Sequence, residues 1–313
     1  MLFGTNKSCR AGCSLIGLEG RRARAPAPQS ARDAAPRSTS RHCHAPRRTH
    51  DARHMPTDEG GEGAGAAAWL RRWWRALLAE LLATALLVWL GVAAMMPVRG
   101  PGTVMLAHPA MAFGFVVIGN ACAFGPASGA HMNPAVTLAA LLYGRLGALP
   151  ALGYTLAQLL GALLGFGALL ATTPTAAAAA PAGCTLPAPH VSALSAALLE
   201  AALTAVLVLA CCGLWSAHDP ARPDPAVPIK LGLVVAGLVY AGGHATGASI
   251  NPARSFAPAL LHGHWEYQWV YWAGPLGGAA AGALLHRWVL TPRARPLSHA
   301  DVDLPLTDKH DPA

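Results

Sequence analysis

An eleven-residue segment occurs twice, and it constrains the fold more than any other feature of the chain. Residues 127–137 read ASGAHMNPAVT and residues 245–255 read ATGASINPARS. Aligned without a gap, Ala127, Gly129, Ala130, Asn133, Pro134 and Ala135 recur as Ala245, Gly247, Ala248, Asn251, Pro252 and Ala253, each 118 residues later. Both copies lie between apolar stretches. A repeat placed in this way implies two copies of one membrane unit.

Composition names the solvent. The chain is 53% hydrophobic and 12% charged. Beyond residue 69 it runs through apolar stretches at about 74–98, 104–124, 150–172, 191–216, 228–244 and 268–290. Each is long enough to cross a hydrocarbon core of ~30 Å. Backbone polar groups in lipid must be satisfied within the segment, so the stretches are predicted to be helices. Strand alternation is missing, which argues against a barrel. Each half then holds three spans and one motif. Three is odd, so the second half enters the membrane from the opposite side, an inverted repeat with its site near the midplane.

Matched positions support this reading. Glu80 and Thr84 recur as Glu200 and Thr204, and Gly161 and Gly165 recur as Gly278 and Gly282. The glycine pairs allow close helix contact, although glycine is abundant in such a chain.

The formal charge of +8 sits at one end. Residues 1–54 carry eleven Lys and Arg against three Asp and Glu, whereas residues 55–313 carry twelve of each. We read residues 1–68 as a disordered basic extension, residues 69–292 as the membrane domain with repeat halves 73–172 and 191–290, and residues 293–313 as a polar tail. The extension lacks the apolar core of a signal peptide. Met55, from which MPTDEGGEG leads into the first span, is an alternative start. Cys9, Cys13 and Cys43 with His42 and His44 fit no standard zinc spacing. Cys122, Cys211 and Cys212 are expected to be packing residues, and Cys184 falls in a loop. Neither a metal nor a cofactor is implied.

Cationic residues set the orientation. Arg71, Arg72 and Arg75 precede the first span, Arg145 lies between the second and third, and Arg222 and Lys230 flank the loop after the fourth. Arg287, Arg293 and Arg295 close or follow the sixth. The alternate loops offer Arg99, apart from Arg254 in the second motif. The positive-inside rule then places both termini in the cytoplasm. Trp73, Trp74, Trp265 and Trp269 are expected at the interfaces.

Asn133 and Asn251 are good N-caps, and the prolines after them suit the first helical position. The apolar stretches that follow, about 133–143 and 251–262, reach only ~16 and ~18 Å at 1.5 Å per residue, half a membrane each. Entering from opposite faces, they would meet at the midplane, where two positive helix ends and two asparagine amides converge. Irregular backbone at that depth is tolerated where it lines a cavity. The predicted product is a narrow polar pore hostile to cations.

Paired SGAHxNPAVT and TGASxNPARSF motifs in six spans resemble the major intrinsic protein family, the aquaporins and glycerol facilitators, over residues 73–290. The resemblance implies an all-α membrane protein with six transmembrane helices and two re-entrant half-helices in an inverted repeat. It implies a passive water channel in the cell membrane, a homotetramer with one pore per subunit, and no enzyme activity or nucleic-acid partner. Asn133, Pro134, Ala135, Asn251, Pro252 and Ala253 would form the pore motifs, with the asparagine amides meeting the permeant. Phe113, Val239, Ala248 and Arg254 would form the selectivity filter.

An arginine at membrane depth is expensive and usually functional, so Arg254 is expected to bind solute and repel cations. A structural Arg254 paired to a carbonyl is the alternative. Glu80 and Glu200 are expected to hold the motif loops through backbone N–H groups; a proton or cation relay is the alternative. His131 either lines the channel or packs against the half-helix. At the second filter position strict water channels carry His, and this chain has Val239. Glycerol facilitators carry Trp and Gly at the first two positions and Asp after the arginine; this chain has Phe113, Val239 and Ser255. Water is thus the expected permeant, with glycerol, ammonia or hydrogen peroxide as small neutral alternatives. An ion-coupled transporter is the reading from a different class.

Overall fold

The computed structural model describes residues 65–97, 104–173 and 181–291. The readings for the extension through residue 64, for Met55, for the Cys9, Cys13, Cys43, His42 and His44 group, for Arg99, Arg293 and Arg295, and for the tail 293–313 lie outside the described residues.

Every described element is helical. The first half contains α1 (Ala66–Ala93), α2 (Ala107–Ser128), the short α3 (Pro134–Tyr143) and α4 (Ala148–Thr172). The second repeats the order with α5 (Ala193–Ser216), α6 (Val227–Thr246), the short α7 (Pro252–His262) and α8 (Val270–Leu285). A π-helical turn, His286–Leu290, extends α8. Helices α1, α2, α4, α5 and α6 are long and apolar enough to cross a membrane. The sixth predicted span divides into the 16 residues of α8 and the five-residue π turn.

The lipid-facing surface is legible on α4. Leu149, Leu152, Leu156, Leu160 and Leu164, at spacings of three and four, are each more than half exposed. Such a stripe is unfavourable in water and suits hydrocarbon. The opposite side of the same helix buries Tyr154, Gln158, Gly161 and Phe166.

Packing follows the repeat. Helix α1 packs on α4 as α5 packs on α8, and α1 on α2 as α5 on α6. The halves interlock because α3 packs against α8, α7 packs against α4, and α2 meets α6. The matched glycines make the close contacts possible. A Cβ on Gly161 would strike the carbonyl of Leu81, and one on Gly165 that of Ala85. Gly278 and Gly282 approach Ala201 and Ala205 in the same way. The obstacle is backbone, which cannot swing aside. Gly278→Val is therefore expected to cost at least the ~1–3 kcal/mol of an overpacked core; a fall in the thermal unfolding midpoint of the detergent-solubilised protein would register it.

Some expectations are corrected. Helix α1 begins at Ala66, so Ala66–Ala68 belong to it and not to the extension. Trp73 is not interfacial: it is buried against Tyr154, because it shares the inward face of α1 with Ala76 and Glu80. Trp74, Trp265 and Trp269 remain exposed. Cys122 is also exposed, whereas Cys211 and Cys212 are buried. Lys230, in the first turn of α6, bonds Asp224 in the loop after α5, and this bond together with that from the Ala226 N–H holds the Asp224 carboxyl below its ordinary range.

Candidate functional site

The site forms where α3 and α7 meet. Both start at asparagine in extended conformation, with φ −158° at Asn133 and −152° at Asn251, followed by proline. The Asn133 side-chain oxygen accepts from the Ala135 N–H at 2.8 Å. That of Asn251 accepts from Ala253 at 3.0 Å and Arg254 at 3.4 Å. These are N-caps, which satisfy otherwise orphaned donors.

The amide nitrogens tie the tips together. Asn133 Nδ2 donates to the Ile250 carbonyl at 2.7 Å, and Asn251 Nδ2 donates to the Met132 carbonyl at 2.8 Å. The reciprocity follows from the inverted repeat. A primary amide has two N–H bonds, so each asparagine spends one across the axis and retains one.

The backbone before each tip is unusual. Ala130, Met132, Ala248 and Ile250 all have φ between 42° and 54°. A non-glycine residue held there costs on the order of 1–3 kcal/mol. The buried glutamates hold these turns in place. Glu80 Oε1 accepts from Ser128 Oγ at 2.6 Å and His131 N at 2.8 Å; Oε2 accepts from Met132 N and Gln158 Nε2, both at 2.8 Å. Glu200 Oε1 accepts from Thr246 Oγ1 at 2.7 Å and Ser249 N at 2.8 Å; Oε2 accepts from Ile250 N at 2.7 Å. Both side chains are fully buried. Tyr154 and Tyr271 complete the symmetry by donating to the carbonyls of Ser128 and Thr246.

The halves diverge where chemistry differs. Gln158 bridges Glu80 to Thr137, with Nε2 2.9 Å from the threonine oxygen. In the second half Pro275 holds the corresponding position, 117 residues on, in keeping with the Tyr154–Tyr271 spacing. There Ser255, fully buried, accepts from Thr185 at 2.7 Å and contacts Ser249 Oγ.

Arg254 is 2% exposed. Its Nη1 donates to the Gly183 carbonyl at 2.6 Å and its Nη2 to Met95 Sδ at 2.9 Å. No carboxylate pairs with it among the described residues. The guanidinium carbon lies 5.7 Å from the centre of the Phe113 ring. Gly91 makes room for that ring, which a Cβ would strike. Phe113, Val239 and Ala248 belong to one buried cluster. His131 is buried beside Tyr154 and Trp215, with Nδ1 3.2 Å from Thr137 Oγ1.

The structure thus gathers the asparagine tips at one locus and sets Phe113 beside Arg254. Sequence reasoning missed Gln158, Tyr154, Gly183 and Met95, and it noted Tyr271 only as a family likeness, without its bond to Thr246. The tyrosines carried a signal, the repeat spacing itself. Gly183 and Met95 carried none, because they reach Arg254 from outside the motifs.

Known proteins share this architecture. The major intrinsic protein family model matches residues 69–286. The lens fiber major intrinsic protein of Gallus gallus is 42% identical over 226 residues, covering 72% of this chain and 85% of that protein. The Homo sapiens protein of the same name is 39% identical over 227 residues, covering 72% and 84%. Among solved structures, the aquaglyceroporin from Plasmodium falciparum matches with a TM-score of 0.62 at 21% identity, covering 70% of this chain and 97% of that one; this likeness speaks for the fold. With a family model spanning most of the chain and relatives aligned over most of their length, this multi-pass membrane protein belongs to the major intrinsic protein family.

Proposed function

We propose that this channel conducts water passively and excludes ions and protons. The observation that carries the reading is the pairing of Arg254 with Phe113, a fixed cation facing an aromatic ring at 5.7 Å. The remaining N–H bonds of the guanidinium bind a passing oxygen, and its charge repels hydronium and metal cations. Downstream, the uncommitted N–H of Asn133 and of Asn251 orients each water by its oxygen. The N-termini of α3 and α7 add positive potential at the same depth. Val239 and Ala248 complete the filter, and His131 lies on the α3 side of the tips.

An ion-coupled mechanism fits less well. The carboxylates of Glu80 and Glu200 accept from four and three donors respectively. That use as loop anchors leaves little capacity for a coupling ion. Membership of the major intrinsic protein family supports the reading of a channel and not an enzyme. Glycerol conduction is the second reading; Val239 in place of a larger polar residue favours it. We further propose a homotetramer in the cell membrane with both termini cytoplasmic.

The test is stopped-flow light scattering on proteoliposomes. Under an impermeant osmolyte, shrinkage well above that of empty vesicles is expected, with no fast re-swelling in a glycerol gradient. Fast glycerol re-swelling would replace the water-selective reading with the facilitator reading.

A further inference from the structure

The guanidinium of Arg254 has unequal anchors. Nη1 makes a short bond to the Gly183 carbonyl, whereas Nη2 rests on a thioether sulfur at 2.9 Å. A thioether is a weak acceptor on a flexible side chain. Its holder, Met95, lies just past α1 in a turn closed by Met95 N to Val92 O, and it is half-buried, whereas its neighbour Met96 is buried.

We propose that Met95 is a positioning residue for Arg254, and that oxidation of its sulfur by hydrogen peroxide shifts the guanidinium and restricts permeation. This rests on the reading of Arg254 as the filter cation.

The chemistry needs no other reagent. A sulfur lone pair attacks peroxide, the O–O bond breaks, an S–O bond forms, and water leaves. The sulfur loses two electrons and the peroxide gains them. The product is a sulfoxide, polar and a stronger acceptor than the thioether. At 2.9 Å the N···S contact leaves no room for oxygen on the lone pair that faces Nη2, and oxygen on the other lone pair moves the acceptor from the sulfur to the S–O oxygen. Either the guanidinium or the methionine must move, while Nη1 remains held by Gly183. The gap between Arg254 and Phe113 changes in the first case, and the Nη2 anchor is lost in the second. The added volume lies beside the proposed filter pair of Arg254 and Phe113, so the expected direction is downward.

Cys184 adjoins Gly183, and its thiol is also open to oxidation. The comparison is therefore made in the full chain carrying Cys184→Ser, with and without Met95→Leu, in proteoliposomes. After peroxide, the flux of whichever solute the untreated protein carries is expected to fall by roughly twofold or more, and methionine sulfoxide reductases to restore it. The Met95→Leu partner is expected not to respond. Mass spectrometry showing oxidised Met95 with unchanged flux would overturn the proposal, as would an equal response in the Met95→Leu protein.

A second readout does not depend on permeation. The Cys184 thiol feels the Arg254 charge, which opposes the upward push of burial. Its alkylation rate, measured with a neutral maleimide, is expected to differ between Met95→Leu and Met95→Gln, since the glutamine offers the guanidinium an amide oxygen. Identical rates in both variants and in the unaltered chain would overturn the positioning role whatever the channel conducts.

Discussion

Glu200→Ala is expected to abolish folding of the channel, and Glu80→Ala to do the same. The Glu200 carboxylate accepts two backbone N–H bonds and one hydroxyl, and the Glu80 carboxylate accepts two backbone bonds and two from side chains. Bonds to a charged group contribute about 1.5–3 kcal/mol each, so three amount to on the order of 5–9 kcal/mol. That rivals the whole stability of many domains, about 5–15 kcal/mol. Removal also orphans the N–H group of Met132 or Ile250, each in a left-handed conformation and bonded, among the described residues, to that carboxylate alone. Size-exclusion chromatography of detergent extracts gives the result: aggregation or loss of the monodisperse peak. Gln substitutions sharpen it. An amide NH2 presents donors to donors, so Glu200→Gln is expected to fall between the unaltered chain and alanine. Normal elution of either alanine variant would contradict the anchoring account.

Arg254→Ala is the second large effect, and it acts on selectivity. At ~4 Å and an effective dielectric of ~20, two unit charges repel by about 4 kcal/mol. At ~1.4 kcal/mol per decade that is up to roughly three orders of magnitude in cation exclusion. The N-termini of α3 and α7 retain part of the barrier, so the visible rise in proton leak will be smaller, on the order of tenfold or more. A pH-sensitive dye trapped in proteoliposomes under an imposed proton gradient measures it. Water flux is expected to persist, since the alanine enlarges the constriction. Unchanged proton leak with unchanged glycerol exclusion would remove Arg254 from the filter. Stability is expected to change little beyond the Gly183 bond, because no buried carboxylate depends on this cation among the described residues.

The two variants separate roles that sequence could only list together. Among the described residues Glu80, Glu200 and Arg254 are the buried carboxylates and guanidinium, and a linear reading leaves each of them a functional or a structural part. Geometry divides them. The glutamates face backbone N–H groups of the turns before the half-helices, and the arginine faces a carbonyl, a sulfur and an aromatic ring. His131 illustrates the same limit: its motif position was evident, yet its packing between Tyr154 and Trp215 depends on α4 and α5. Trp73 was misplaced for a related reason, since hydropathy locates a span but does not say which face of its first turns points inward.

By itself the sequence determined the all-helical membrane architecture, the inverted repeat, the half-helices and their asparagine caps. Those are local or periodic properties: span length against bilayer thickness, Asn-Pro against helix-start chemistry, and a fixed offset between two copies. Only the tertiary structure decided that each asparagine crosses the axis to the opposite carbonyl, and that Gly183 and Met95 hold the arginine. Those contacts join residues 71 to 159 positions apart. Their partners are backbone carbonyls and a thioether, which leave no mark on motif or composition and become specific only when the two halves close around one axis.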